Sequence, residues 1–426
     1  MPPTTFGTFQ VSMRSRVRTA RSAGDLAAVR ARSASRSKTP VAARTETWTP
    51  VPSGLAGDAN SCRPLQQCAR AGPDNGSSAV SLEAEKRLVM ICESPLLSNC
   101  GFTTDHIRED WGTWLSTAEQ ITQQLGLSGD PSTWPEQARS RVFQYYLPVY
   151  MWCVGQISRH RSTGARRPLV IGISAPQGCG KSTLVEQLEL LLASAGVKAA
   201  SVSVDDFYLT RAEQVAVSEA DPSNPLLQVR GNAGTHDLDL GRRTLEALRT
   251  CTSPDKSVKI PRYDKSAHGG KGDRFPEDAW PTIAGPVDVV LFEGWMAGFA
   301  PVGDEAAAAV HPGLVAIDRQ LRKYGSNWDA LVDAWIVVQV DDPEWVFKWR
   351  LEAEQRMVAA GRPGMDEAGV RDFVAKYMPA YRAYLPGLYR DGPVGAQPGR
   401  VLMVALDSER GPVASQPAGP VLKTGA

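Results

Sequence analysis

The sequence contains no apolar run of the length that crosses a bilayer. A membrane-spanning helix needs roughly 18 or more consecutive apolar residues. The strongest apolar stretches of this 426-residue chain, 287–292 and 335–340, are short enough to be buried strands. We therefore expect a soluble protein that has no membrane partner.

Two further signatures are missing. The seven cysteines include no Cys-x-x-Cys pair and no histidine spacing typical of zinc, which argues against a thiolate metal site. The Asn-Lys-x-Asp signature of guanine recognition does not occur either. A GTP-dependent switch is therefore disfavoured.

Positive charge is concentrated at the start of the chain. Residues 1–50 carry nine Lys or Arg, two acids and fourteen Ser or Thr, whereas the remainder carries 38 basic against 44 acidic residues. The excess of acids makes nucleic acid an unexpected partner. The basic composition, followed by a Gly-, Pro- and Ser-rich stretch, predicts a transit peptide and disordered leader over residues 1–80. A basic tail that binds an acidic partner is the alternative, and composition does not separate plastid from mitochondrion.

The rest of the chain divides by pattern. Helical periodicity and a cluster of aromatics predict a helical N-terminal subdomain over 81–165, and a flexible tail is expected over 411–426. Within 166–410, short apolar strands alternate with helices, which indicates an α/β fold with a largely parallel sheet covered by helices. The predicted strands are Leu169 to Ser174, Ala199 to Val204, Val287 to Phe292, Trp335 to Val340 and Val401 to Leu406.

A phosphate-binding loop lies between the first strand and the following helix. In such loops the glycines let backbone N–H groups converge on phosphate oxygens at a helix N-terminus, the lysine adds charge, and the serine hydroxyl holds magnesium. The first glycine of the motif is replaced by alanine here, a small change if its backbone angles are ordinary. The predicted ATP-binding residues are Ala175, Pro176, Gln177, Gly178, Cys179, Gly180, Lys181, Ser182 and Thr183.

Cys179 lies inside this loop. A helix N-terminus favours a thiolate, so the position is a candidate for redox sensitivity. A small side chain tolerated between two glycines is the simpler interpretation.

Carboxylates follow two of the predicted strands. Asp205 and Asp206 end the second strand, and Glu293 ends the third. Ligands of open α/β sheets bind beyond the carboxyl ends of strands. We predict that Asp205 is the catalytic base of a kinase and that Asp206 is a helix cap or a more distant ligand. Glu293 and Ser182 are predicted to bind Mg²⁺, which takes one or two carboxylates beside phosphate oxygens.

The long polar segment 211–286 is where a substrate site is expected. Its charged loops suit a small polar anion, since a guanidinium binds a carboxylate through two hydrogen bonds and His or Asp can bind hydroxyls. Any one of these side chains alone is equally well explained as a surface charge. The candidate substrate-binding residues are Asn232, His236, Asp237, Arg262, Tyr263, Lys265 and Arg274.

The segment after Asp342-Pro343 has the signature of a helix start. Its cations suggest a lid, because an arginine near a moving phosphoryl group stabilises the equatorial oxygens. Arg350 and Arg356 are therefore candidate catalytic residues together with Lys181. Pairing of Arg350 with Glu354, four residues on, is the alternative.

Five motifs taken together resemble the D-glycerate 3-kinases of plants and algae, relatives of uridine kinase, pantothenate kinase and phosphoribulokinase. The motifs are Ile173-Ser-Ala-Pro-Gln-Gly-Cys-Gly-Lys181, Asp205-Asp-Phe-Tyr-Leu-Thr210, Gly231-Asn-Ala-Gly-Thr-His-Asp237, Pro261-Arg-Tyr-Asp-Lys-Ser266 and Phe292-Glu-Gly-Trp-Met296.

The resemblance implies transfer of the γ-phosphoryl group of ATP, with Mg²⁺, to the 3-hydroxyl of D-glycerate. The reaction would take place in the chloroplast stroma, as the closing step of photorespiration. The resemblance also supports the roles of Asp205 as catalytic base and of Glu293 as a Mg²⁺ ligand.

A kinase for another small alcohol is the alternative within the class of enzymes. A regulatory ATPase is the alternative outside that class. For the oligomeric state we favour a monomer.

Overall fold

A computed structural model describes residues 82–361, 363–420 and 422 of the chain, so the predicted leader lies outside the described residues. The described α-helices are α1 (Leu82–Cys92), α2 (Thr104–Glu109), α3 (Trp111–Gln124), α4 (Glu136–Arg139), α5 (Leu147–Ser162), α6 (Lys181–Ser194), α7 (Arg211–Ala220), α8 (Leu238–Arg249), α9 (Asp304–Val310), α10 (Leu314–Asn327), α11 (Trp345–Ala359), α12 (Glu367–Ala375) and α13 (Met378–Asp391). The described strands are β1 (Leu169–Ser174), β2 (Ala199–Ser203), β3 (Ser257–Lys259), β4 (Tyr263–Asp264), β5 (Asp273–Arg274), β6 (Thr282–Ala284), β7 (Val289–Gly294), β8 (Ala334–Val340) and β9 (Val401–Leu406).

The central sheet has the strand order β2-β7-β1-β8-β9, and all its neighbouring strands are parallel. Every residue of β1 is buried, as expected for a strand covered on both faces. The predicted α/β fold is therefore confirmed, and all five predicted strands are present, with β7 beginning and ending two residues later than predicted. The parallel register brings Ile173 of β1 beside Glu293 of β7, and Glu293 beside Ser203 of β2. The carboxyl ends of these three strands thus lie together.

The N-terminal region is helical, as predicted. A π-helical segment, Ser140–Tyr146, joins α4 to α5 without a break. Pro148 lacks the N–H that would bond the carbonyl of Gln144 in a regular helix. The hydroxyl of Ser94 donates to that carbonyl instead, at 2.9 Å. Buried residues of these helices belong to the same hydrophobic cluster as the sheet.

The segment between β2 and β7 contains α7, α8 and two short antiparallel pairs, β3 with β6 and β4 with β5. It follows the carboxyl end of β2 and therefore starts where the site is expected. None of the helices in the described residues has the length and apolar character of a membrane span.

The segment expected to be a loose tail packs against β9 in its first part. The amide side chain of Gln416 bonds both the N–H and the carbonyl of Ala405, at 2.8 and 3.0 Å. The side chain of Asn99 donates to the carbonyl of Pro417 at 2.9 Å. Residues up to 417 are therefore attached to the sheet.

Candidate active site

The phosphate loop connects β1 to α6. Gly178 and Gly180 have φ angles of +83° and +98°, a region that L side chains rarely adopt, and Gly180 is the residue before the first turn of α6. Ala175 is not among the described non-glycine residues with positive φ. Its replacement of the usual glycine therefore causes no backbone strain. The loop presents the N-terminus of a 14-residue helix, which is a binding site for anions.

Three side chains from distant parts of the chain support the loop, and none of the three was predicted from the sequence. The hydroxyl of Tyr381 accepts the N–H of Gln177 at 3.0 Å. Arg410 donates to the carbonyl of Gly178 at 2.7 Å. Trp349 packs so closely against Gly178 that a Cβ added to Gly178 would lie 2.6 Å from the Cβ of Trp349. The shape of the loop thus depends on contacts with α11, α13 and the segment after β9.

Cys179 is almost fully buried in the loop. Burial raises the pKa of its thiol to about 11, although the nearby Lys181 acts in the opposite direction. The thiol is therefore neutral at physiological pH, and this supports the simpler interpretation of a small buried side chain.

Lys181 and Glu293 form an ion pair between the start of α6 and the end of β7. Burial alone would lower the pKa of Lys181, but the carboxylates of Glu293 and Asp205 raise it. The lysine is therefore positively charged in the folded protein. It interacts electrostatically with both of the carboxylates predicted from the sequence.

Asp205 is held by two donors. The hydroxyl of Tyr208 donates to its Oδ1 at 2.7 Å, and the amine of Lys265 donates to its Oδ2. Burial acts to raise the pKa of Asp205, but the charges of Lys265 and Lys181 hold it well below its usual range. Asp205 is consequently a carboxylate, which is the form that accepts a proton.

Asp206 has a different role in the fold. Its Oδ2 accepts the N–H of Ser203 at 3.0 Å, which closes a capping box at the 3₁₀ helix Val204–Phe207. It also accepts a hydrogen bond from Arg262 at 2.9 Å. Burial raises the pKa of Asp206 to about 6, although Arg262 opposes this. The predicted capping role of Asp206 is thus confirmed.

Oxygen donors suited to Mg²⁺ are present at this end of the sheet. The hydroxyl of Ser182 belongs to an exposed residue in the first turn of α6, and the carboxylates of Glu293 and Asp205 both interact with Lys181. No larger cluster of His, Cys, Asp and Glu that could hold a metal occurs in the described residues. One or two carboxylates and a hydroxyl are enough for magnesium bound together with phosphate oxygens, so the residues fit the ion.

The basic residues predicted to bind substrate converge on the acids that follow β2 and on the acid that precedes α8. Lys265 contacts Asp205 and Arg262 contacts Asp206, whereas Arg274 lies 3.3 Å from Asp237. The ring of Tyr263 meets the ring of Tyr208 edge-on, with centroids 5.2 Å apart. Asp237 is also the N-cap of α8, where its Oδ1 accepts the N–H of Leu240 at 2.9 Å.

Two of the predicted residues are part of the protein interior. Asn232 is buried, and its amide donates to the carbonyls of Leu226 and Lys376, each at 3.0 Å. His236 is buried beside Tyr324, whose hydroxyl lies 2.8 Å from Nδ1. Burial lowers the pKa of His236 to about 3, so the ring is neutral. These hydrogen bonds of Asn232 and His236 hold the segment between α7 and α8.

The cations of α11 are paired with nearby groups. Arg350 forms an ion pair with Glu354, and its guanidinium lies 4.9 Å from the ring centroid of Phe373. Arg356 donates to the carbonyl of Glu352 at 3.2 Å. The structure therefore contains the ion pair between Arg350 and Glu354, which was the alternative to a catalytic role for Arg350. Either arginine would have to leave its partner to reach a phosphoryl group.

A loop with convergent N–H groups, a lysine at the helix start and an acid at the end of the neighbouring strand together define a phosphate-loop kinase. Residues 170–304 match the model of the phosphoribulokinase and uridine kinase family. The chain is 45% identical over 327 residues to the chloroplastic D-glycerate 3-kinase of Arabidopsis thaliana, with 76% of this chain and 71% of that protein covered. The chain therefore belongs to the family of phosphate-loop kinases that includes D-glycerate 3-kinase.

Two fungal proteins agree with this assignment. An uncharacterized kinase of Schizosaccharomyces pombe is 38% identical, with 58% of this chain and 91% of that protein covered. The solved structure of D-glycerate 3-kinase from Cryptococcus neoformans is 34% identical and has a TM-score of 0.58, with 63% of this chain and 97% of that chain covered.

Proposed function

We propose that this protein is an ATP-dependent kinase that transfers the γ-phosphoryl group of ATP to the 3-hydroxyl of D-glycerate and so produces 3-phospho-D-glycerate. The observation that carries the proposal is that the carboxylate of Asp205 accepts a hydrogen bond from Lys265 and also interacts electrostatically with Lys181. One lysine belongs to the phosphate loop and the other to the segment where a small anion is expected. The similarity to D-glycerate 3-kinase supports glycerate as that anion.

In this mechanism the backbone N–H groups of the phosphate loop and Lys181 bind the phosphates. Asp205 accepts the proton of the attacking hydroxyl while the bond between that oxygen and the γ-phosphorus forms and the bond to the ADP oxygen breaks. The low pKa of Asp205 makes it a weak base while Lys265 contacts it. A substrate carboxylate that takes up Lys265 removes part of this effect and strengthens the base.

Mg²⁺ would be held by Ser182 and Glu293, and it supplies charge neutralisation of the phosphate oxygens when bound. Arg262 and Arg274 would help to bind the substrate carboxylate, and Tyr263 would form part of the pocket wall. Asn232, His236 and Asp237 would hold the loops that carry these groups. Arg350 and Arg356 would act on the transferring group only after they leave their partners on α11.

We propose that the protein acts in the chloroplast stroma, after removal of a transit peptide, and that its reaction is part of photorespiration. The basic, serine-rich composition of residues 1–50 supports this. The relative from Arabidopsis thaliana is a chloroplastic protein.

The decisive experiment measures ADP release by the purified protein with ATP and Mg²⁺, with and without D-glycerate. We expect release that depends on D-glycerate, and phosphate on the 3-oxygen by NMR. Uridine, pantothenate and ribulose 5-phosphate serve as competing acceptors. Faster release with any of these would contradict the choice of substrate, and release without an acceptor would indicate a regulatory ATPase.

A further inference from the structure

The Lys265 hairpin, residues 263–274, consists of β4, β5 and the loop between them. Its two strands pair over only two residues each, Tyr263 with Arg274 and Asp264 with Asp273. A ribbon of this size does not hold its position alone. The position of Lys265 therefore depends on what holds the hairpin from outside.

Arg230 provides such a hold. Its Nη1 donates to the carbonyls of Gly270 and Lys271 at 2.9 and 2.6 Å, and its Nη2 donates to the carbonyl of Lys265 at 3.3 Å. The guanidinium carbon also lies 5.4 Å from the ring centroid of Tyr263, within the range of a cation–π contact. One side chain thus bonds both ends of the hairpin loop.

The backbone of Arg230 is fixed in turn. Tyr377 donates its hydroxyl to the carbonyl of Arg230 at 2.9 Å. The next residue, Gly231, has φ +132°, and a Cβ there would lie 2.3 Å from the ring of Tyr377. The N–H of Gly231 donates to the hydroxyl of Thr235 at 2.8 Å. Arg230 therefore reaches the hairpin from a fixed point.

Lys265 connects the hairpin to Asp205, the proposed catalytic base. Lys265 donates to Asp205, and Tyr208 donates to the same carboxylate. The guanidinium carbon of Arg230 lies 5.9 Å from the ring centroid of Tyr208. A continuous set of contacts thus runs from Arg230 through the hairpin to Asp205.

We propose that Arg230 is a positioning residue for phosphoryl transfer, because it holds the Lys265 hairpin where the amine of Lys265 reaches both Asp205 and the substrate anion. The proposal rests on the proposed function of this site. Arg230 acts through Lys265 and not as a ligand of the anion in this proposal, and three of its five guanidinium N–H donors already bond hairpin carbonyls.

The first test is a double-mutant cycle of Arg230→Gln and Lys265→Met, measured with D-glycerate and ATP. We expect each single variant to lower kcat/KM for D-glycerate by about tenfold or more and to change KM for ATP by less than about threefold. In the Lys265→Met background, Arg230→Gln should cost at most about a further twofold. Losses that multiply would show that Arg230 acts independently, for example as a direct ligand, and would overturn the proposal.

The pH dependence of kcat/KM provides a second test, because a general loss of stability does not shift its acidic limb. Loss of the Lys265 contact raises the pKa of Asp205, so the acidic limb of kcat/KM should shift to higher pH in both single variants. An acidic limb that shifts in Lys265→Met but not in Arg230→Gln would contradict the proposal. If Arg230→Gln does not fold, Arg230→Lys, which keeps the charge without the forked geometry, replaces it throughout.

Limited trypsin digestion tests whether Arg230 holds the Lys265 hairpin, and it requires no substrate. Cleavage after Lys265 and Lys271, followed by mass spectrometry, should be at least about fivefold faster in Arg230→Gln than in the parent. Arg242→Gln is the matched control, because Arg242 is an exposed residue on α8 paired only with Glu246 among the described ion pairs. Unchanged cleavage in Arg230→Gln would overturn the proposal. A parent enzyme inactive with D-glycerate would instead contradict the proposed function, and the digestion would still decide whether Arg230 holds the hairpin.

Discussion

The hydroxyl of Tyr381 accepts a hydrogen bond from the backbone N–H of Gln177, at 3.0 Å, and so connects α13 to the phosphate loop across 204 residues of sequence. The phosphate loop would otherwise leave this N–H without a partner in a partly buried position. An unsatisfied buried donor costs more than the bond itself contributes. The contact therefore stabilises the shape of the loop that binds ATP.

Replacement of Tyr381 by Phe should weaken ATP binding. The ring is kept and only the acceptor of the Gln177 N–H is lost, so we expect KM for ATP to rise about three- to tenfold, equivalent to about 1 kcal/mol. KM for D-glycerate should change little. Steady-state kinetics with each substrate varied in turn measure this, and an equal rise of both constants would show that the effect is not confined to the loop.

Replacement of Asp205 by Asn should lower kcat by about two to four powers of ten. The amide keeps the shape of the side chain but cannot accept the proton of the attacking hydroxyl. ATP binding, followed by fluorescence or calorimetry, should remain close to that of the parent. Asp206→Asn is the comparison, since Asp206 caps the 3₁₀ helix Val204–Phe207, and its effect should fall mainly on stability. Parental turnover in Asp205→Asn would exclude Asp205 as the base.

Replacement of Lys181 by Ala should weaken both nucleotide binding and turnover. Its charge interacts with phosphate oxygens in the ground state and in the transition state. Loss of the lysine also leaves Glu293 without its ion-pair partner. Titration with ATP and measurement of kcat provide the test. A variant with unchanged affinity and rate would mean that the loop does not bind phosphate.

Much of this site was predictable because its signals are local. The phosphate loop is a continuous motif between β1 and α6, and the strands that carry Asp205 and Glu293 are short apolar runs that end in acids. The carboxyl ends of parallel strands meet at one edge, so these acids and the phosphate loop share one edge of the sheet. The structure contains the interactions of Lys181 with both.

The supports of the site were not predictable because they join residues that are far apart in sequence. Neither Arg410 nor Trp349 belongs to a recognisable motif, and their contacts with Gly178 depend on how α11 and the segment after β9 pack. The role of Arg230 depends likewise on the path of the Lys265 hairpin. The sequence favoured neither a catalytic role for Arg350 nor its pairing with Glu354, since a spacing of four residues allows an ion pair but does not require one.

Asp329 should make stability depend on pH. Its Oδ1 accepts the N–H of Gly298 at 3.2 Å, whereas its Oδ2 is buried without a hydrogen-bond partner among the described residues. Burial raises the pKa of Asp329 to about 7. The folded state therefore binds a proton at Asp329 more tightly than the unfolded state does. The resulting stability is full below about pH 4 and is lost as the pH rises through about 7.

The variant Asp329→Asn tests this, because its amide is neutral throughout. We expect its Tm to exceed that of the parent by about 5 °C at pH 8 and to differ little at pH 4. Thermal melts across this range, with Asp304→Asn as an exposed comparison, provide the measurement. The same pH dependence in parent and Asp329→Asn would contradict a buried neutral acid.

Residues 1–75 should be dispensable for catalysis and sufficient, with a few residues more, for targeting. Their basic and serine-rich composition motivates a targeting role, and a segment this polar buries little apolar area. Deletion of residues 1–75 should therefore leave Tm and kcat essentially unchanged. A fluorescent protein fused behind residues 1–80 should accumulate in the plastids of a green cell, whereas the truncated enzyme should remain in the cytosol. Fluorescence in mitochondria would correct the compartment. Fluorescence in the cytosol, or a large fall in Tm on truncation, would instead show that the segment belongs to the working enzyme.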